Sequence, residues 1–164
     1  MSGRRLGGIG CAIWAAVFSL PHVYWGAGGR MGIVATLGSL AVLREPVLAI
    51  GGTWGVLVIC LVAIAFGLAV AGRPAWAPRR LLLICSILAA VVLGGHGLQI
   101  VVEFGLAQLG VLSPPPPPGG MSEVHAQLLI WGPMFLIGGL LFAVCAVSLR
   151  ASGRTTRGAV RPTI

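Results

Sequence analysis

Lysine and aspartate are both absent from this 164-residue chain, and glutamate occurs only at Glu45, Glu103 and Glu123. Charged residues make up 9% of it in all. A soluble domain covers its surface with far more charge than that, so a water-soluble globular protein is excluded. The compact signatures CxxC, HxxxH and HExxH are missing as well. Their absence removes the usual sequence marks of thiol–disulfide exchange and of helical zinc centres. Cys11, Cys60, Cys85 and Cys145 all fall inside apolar runs rather than in a connection where oxidation is expected, and they read as small packing residues.

What the chain has in abundance is apolar sequence: 57% of its residues are hydrophobic. Four runs, at about 7–25, 49–71, 81–103 and 127–149, approach or exceed the length needed to cross a membrane, which is ~20 residues for a ~30 Å hydrocarbon core. The reading is an all-α integral membrane four-helix bundle in a single domain. The formal net charge of +8 raises the question of a nucleic-acid partner. The eleven arginines, however, sit in short clusters beside the spans, and no nucleic acid is expected.

Those clusters set the expected direction of the chain. Arg4 and Arg5 precede the first span, Arg73, Arg79 and Arg80 fill the second connection, and Arg150, Arg154, Arg157 and Arg161 follow the fourth. The first connection carries only Arg30 and Arg44, and the third has no basic residue. By the positive-inside rule both termini are cytoplasmic in the plasma membrane, and connections one and three lie outside. Residues 150–164 read as a flexible, lipid-facing tail. Arginine without lysine fits a GC-rich bacterial genome.

The first outer connection holds MGIVATLGSLAVL, residues 31–43. It is too short to span and is expected to form an interfacial or re-entrant segment. A fifth span would put the termini on opposite sides and break the charge pattern. MSGRR followed by an apolar run also has the outline of a signal peptide, with GAG at 26–28 as a cleavage site, and GIGC before Cys11 is a fragment of a lipoprotein signature. PHVYW at 21–25 is a poor approach to a cleavage site, so the first span is read as retained. The prolines of SPPPPPGG, residues 113–120, predict a stiff polyproline II spacer in the third connection. Small residues recur at helix-contact spacing: Gly51 and Gly55, then Ala63, Gly67 and Ala71, then Gly138 with Gly139. These predict close helix packing.

The ionisable groups are placed with a bias. His22 ends the first span, Glu45 precedes the second, His96 and Glu103 lie in the outer half of the third, and Glu123 and His125 open the fourth. All map to the expected outer side, and an ionisable residue inside a membrane is costly enough to mark a functional candidate. On the third helix Cys85, Ala89, Val92, His96, Gln99 and Glu103 share one stripe. His96 and Glu103 are then about 10 Å apart along the axis, with Gln99 between them as a hydrogen-bond relay. Trp14, Phe18, His22 and Trp25 share a face of the first helix, and Gln127, Trp131, Met134 and Gly138 one of the fourth. Pro21 and Pro133 disturb the carbonyls of Val17 and Leu129 near the same end.

Together these features predict an outward-facing polar pocket with aromatic walls, built from His22, Tyr24, Trp25, His96, Gln99, Glu103, Glu123, His125 and Trp131. A plainer reading stands beside it. Trp25, Trp54 and Trp131 lie where an aromatic belt belongs, and His22 and His125 fit as interfacial residues. For His96, flanked by Gly94, Gly95 and Gly97, interhelical bridging and a working site both remain open.

PHVYWGAGG at the end of the first span, GGHGLQIV in the third and WGPMFLIGGLLF in the fourth resemble the bacterial membrane family known as domain of unknown function 3995. The resemblance covers roughly residues 10–148, with the proline run and the arginine tail outside it. It implies a small four-helix membrane protein and brings no catalytic residues.

Function is therefore read from the residues. The first reading is a non-enzymatic bundle that binds a lipid-like small molecule or a partner protein on its outer-leaflet side. Its expected partners are the bilayer, that ligand and a second copy of the chain. The second is a membrane enzyme using His96 with Glu103 or Glu123 as an acid/base pair. A metal held by His22, His96, His125 and Glu123 would need ligands to converge from separate helices, and no metal or other cofactor is assigned. A transporter is disfavoured by the lack of interrupted inverted repeats.

Overall fold

The computed structural model describes residues 3–40, 44–72, 74, 76–111 and 118–158. Among these the chain is almost wholly helical and contains no strand. Helix α1 is Gly3–Gly26, α2 is Ile33–Leu37 and α3 is Pro46–Ala49, which runs through a π turn, Ile50–Gly55, into α4, Val56–Gly72. Helix α5 is Arg79–Gln108 and α6 is Gly120–Ala126, which passes through a second π turn, Gln127–Trp131, into α7, Gly132–Gly158. Four stretches are long and apolar enough to cross a membrane: Gly3–Gly26, Ile50–Gly72, Arg79–Gln108 and Gly120–Ser152. Each reaches close to or beyond the corresponding sequence-based bounds. Helix α7 continues through Gly158, so the start of the arginine tail is helical. Most of the proline run and residues 159–164 lie outside the described residues.

Local sequence explains where these helices stop. Gly28, at φ +94°, ends α1. Its amide bonds to Trp25 O at 3.0 Å, and that of Gly29 to Tyr24 O at 2.9 Å. This is the Schellman arrangement, which needs a left-handed residue that glycine adopts without a steric penalty. Gly110, at φ +70°, ends α5 in the same way, with Val111 N on Leu106 O at 3.0 Å. Pro21 sits inside an uninterrupted α1. The π turn at Gln127–Trp131 comes just before Pro133, which lacks an amide for the preceding turn.

The spans pack in the order α4, α1, α7, α5, with α1 and α7 forming the central pair and α4 and α5 on the flanks. In the most apolar window of each span, α1 buries 44% of its residues against 17% for α4 and for α5, so the flanking helices present most of their surface to lipid. Small residues make the contacts close. A methyl group added at Gly67 would lie 2.6 Å from Gly8 O, and one at Gly139 would lie 2.7 Å from the Gly94 Cα. Membrane helices associate by such approaches because lipid supplies no hydrophobic drive between them. The Gly51/Gly55 pair is not used in this way: Gly51 has open space around it, and both lie in the first π turn.

The arginines at one end brace these contacts. Arg4 donates from Nη1 to Val70 O at 2.8 Å, tying the start of α1 to the end of α4. Arg79 donates from Nε to Leu149 O at 2.8 Å and from Nη2 to Arg150 O at 3.1 Å. A guanidinium near the C-terminal end of a span satisfies carbonyls and opposes the negative end of the helix dipole. At the opposite end, α2 is too short to cross anything, at about 7.5 Å by helical rise. It packs on α6, and its Ile33 is fully buried. The segment 31–40 thus forms a non-spanning cap over the bundle, and residues 41–43 lie outside the described residues.

Candidate functional site

Beneath that cap lies a cluster of aromatic rings from α1 and α7. Trp14 stacks on Phe18 with centroids 5.2 Å apart, and Phe18 meets Phe135 edge-on at 5.2 Å and Trp131 at 5.7 Å. Trp14 also donates from Nε1 to Met134 O at 2.8 Å. Its indole lies against Gly138, where any side chain would collide with the ring. That is why a glycine stands mid-span on α7.

His22 is the polar centre of this cluster. It lies one turn beyond Phe18 on the buried face of α1, with centroids 5.6 Å from Phe18, 5.3 Å from Trp25 and 6.3 Å from Trp131. The residue is only 8% exposed. Its Nδ1 lies 3.1 Å from Gly52 O in the first π turn. A carbonyl can only accept, so Nδ1 carries the proton and donates to it. Nε2 is buried and has no partner among the described residues. Buried polar atoms are nearly always hydrogen-bonded, so an orphan asks for an explanation.

The cap is pinned to the cluster by three side-chain bonds. Trp25 donates from Nε1 to Met31 O at 3.0 Å, Gln127 from Nε2 to Thr36 O at 3.1 Å, and Trp131 from Nε1 to Thr36 Oγ1 at 3.2 Å. Thr36 in turn donates to Gly32 O at 2.8 Å. Gly32 and Gly38, at φ +81° and +75°, bracket α2. The cap is therefore a short helix between two glycines in the left-handed conformation.

The nine residues proposed from sequence do not all meet. His22, Trp25 and Trp131 come together. Tyr24 is exposed and lies over Gly29, on the far side of α1 from them. Glu123 accepts the Gly119 amide at 2.8 Å on Oε2 and lies close to Gly38 of the cap, while His125 is exposed. His96, Gln99 and Glu103 all lie on the exposed side of α5, and the stripe they share is not turned into the bundle. His96 touches the edge of Phe135, with centroids 4.6 Å apart, so Phe135 and Phe18 stand between it and His22. The four residues considered for a metal are thus dispersed, and among the described residues no three His, Cys, Asp or Glu side chains are grouped to hold one.

Two functional groups escaped the sequence reading. Gly52 contributes a backbone carbonyl, which no side-chain pattern could reveal. Thr36 carries one of the two hydroxyls, with Ser39, in the apolar first connection, and those hydroxyls were the available signal. At the other end of the bundle, the Sγ atoms of Cys11 and Cys145 lie 3.6 Å apart, and both residues are fully buried.

Residues 15–142 match the family described as protein of unknown function, DUF3995. The matched range runs across the proline run at 113–120, which the resemblance drawn from sequence had left outside. No curated protein and no solved structure matches the chain.

Proposed function

The chain belongs to the DUF3995 family, and on that footing we propose that it is a non-enzymatic membrane bundle that binds a lipid-like small molecule under its α2 cap. The cap lies at the end of the bundle opposite the arginine clusters, which the positive-inside rule assigns to the outer leaflet of the plasma membrane. One observation carries the reading: a histidine nine-tenths buried among aromatic rings, with one ring nitrogen unpartnered. Ligand sites are mostly apolar enclosures with a few placed polar groups, and His22 inside Phe18, Trp25 and Trp131 has that composition.

An acid/base enzyme built on His96 has no comparable support. Its imidazole faces outward from α5 beside Phe135, and Glu123 is committed to the Gly119 amide. The test of the binding reading is mass spectrometry of molecules that remain with the full chain purified in mild detergent. The wild type is expected to retain one amphiphile in stoichiometric amount. Trp25→Ala, which removes a wall, should release it, whereas Val92→Ala on the exposed face of α5 should not. A wild type that carries nothing, or equal retention by both variants, would refute the proposal.

A further inference from the structure

We infer that the ligand under the α2 cap is a hydroxyl-bearing amphiphile, an alcohol or phenol with an apolar body, whose O–H donates to His22 Nε2. The inference rests on the binding reading above and adds the chemistry that the site reads. Gly52 O occupies Nδ1 at 3.1 Å and obliges that nitrogen to hold the proton. In the neutral ring the other nitrogen then presents a lone pair. Nε2 is buried with no partner, in a residue 8% exposed. What it lacks is a donor.

The indole and amide donors around it are already committed. The Trp25 indole N–H goes to Met31 O, the Trp131 N–H to Thr36 Oγ1, and the Gln127 amide to Thr36 O. Those groups leave Nε2, among the described residues, open to a donor that a ligand brings. A ligand that only accepts, such as an ester, an ether or a quinone carbonyl, cannot satisfy Nε2. A ligand with a hydroxyl can, and the flanking rings of Phe18, Trp25 and Trp131 suit an apolar or aromatic body next to that hydroxyl. The polar atom thus selects by hydrogen-bond sense, while the rings hold whatever is greasy.

The probes are 4-octylphenol and its methyl ether, 4-octylanisole, which differ in the hydroxyl alone. The full chain, with 15N-labelled histidine, is reconstituted in nanodiscs of phosphatidylcholine. The His22 ring signals are identified by their loss in His22→Gln. Without probe, Nδ1 should be the protonated nitrogen. Octylphenol should shift the Nε2 signal saturably, and octylanisole should leave it in place and bind about tenfold more weakly or worse. In His22→Phe the two probes should bind alike. A proton found on Nε2 in the wild type overturns the inference. Equal binding of phenol and ether to the wild type also overturns it, while leaving the binding reading intact. No binding of either probe removes both. Should His22→Phe fail to fold, the wild-type comparison still decides.

Discussion

Thr36 holds more of the site together than its size suggests. Its Oγ1 accepts the Trp131 indole N–H, its own hydroxyl proton goes to Gly32 O, and its backbone carbonyl takes the Gln127 amide. Thr36→Val keeps the shape and leaves the buried indole N–H of Trp131 without an acceptor. Orphaning a buried donor costs about 1–3 kcal/mol, so the melting temperature in detergent should fall clearly. Thr36→Ser retains the hydroxyl and should stay close to wild type. If Val and Ser behave alike, the cap is not held by that bond. His96 makes the opposite case. Among the aromatic contacts its ring touches only Phe135, and a T-shaped ring pair of this kind adds about 0.5–1.5 kcal/mol, part of which a leucine regains by apolar contact. His96→Leu should therefore change the melting temperature little and leave any molecule held at His22 in place. Loss of that molecule on His96→Leu would show that α5 belongs to the site after all.

At the level of elements, the two small-residue patterns have different fates, and the reason is physical. Gly67 stands where α4 crosses α1, with Gly8 O and the Ala12 amide nitrogen within 3 Å of the position a methyl would take. The obstruction is backbone and cannot rotate away. Gly67→Ala should cost about 1–3 kcal/mol through overpacking, read as a lowered melting temperature. Gly51→Ala meets nothing within 4 Å and should stay within about 0.5 kcal/mol of wild type. A spacing of four residues marks a contact face only where the helix is α. In a π turn the same spacing points elsewhere, and the sequence carried no mark of the π turn at Ile50–Gly55. The α5 stripe failed to join the site for a related reason. Periodicity shows that His96, Gln99 and Glu103 share a face, but which face meets a neighbour depends on packing. Gly97, whose added methyl would lie 2.8 Å from the Leu136 amide nitrogen, sets α5 against α7 on another side. His22, Trp25 and Trp131 were legible because α1 lies between α4 and α7, so its aromatic face had little choice but to be buried.

For the whole molecule, the remaining property is its direction in the membrane. Arg4 reaches Val70 and Arg79 reaches Leu149 and Arg150, so the basic clusters of the N-terminus, the second connection and α7 gather at one end. Arg30 and Arg44 belong to the first connection, at the other end with the cap. The positive-inside rule retains positive charge beside short connections in the cytoplasm, and the orientation we propose from it has Ser152 inside and Met31 outside. The native cysteines leave this open to direct measurement. Cys11, Cys60 and Cys145 are buried, and Cys85 is half-buried within a span, so a membrane-impermeant maleimide should find little background. Met31 is 79% exposed in the cap region, and a thiol placed there by Met31→Cys should label in intact cells. Ser152→Cys should label only after the membrane is opened. The reverse pattern would put the His22 site at the cytoplasmic face and turn the search for its ligand toward the inner leaflet. Labelling of both positions from outside would mean an even number of crossings between Met31 and Ser152 instead of the three that the spans Ile50–Gly72, Arg79–Gln108 and Gly120–Ser152 require, and the orientation argument would fall while the helix packing stood.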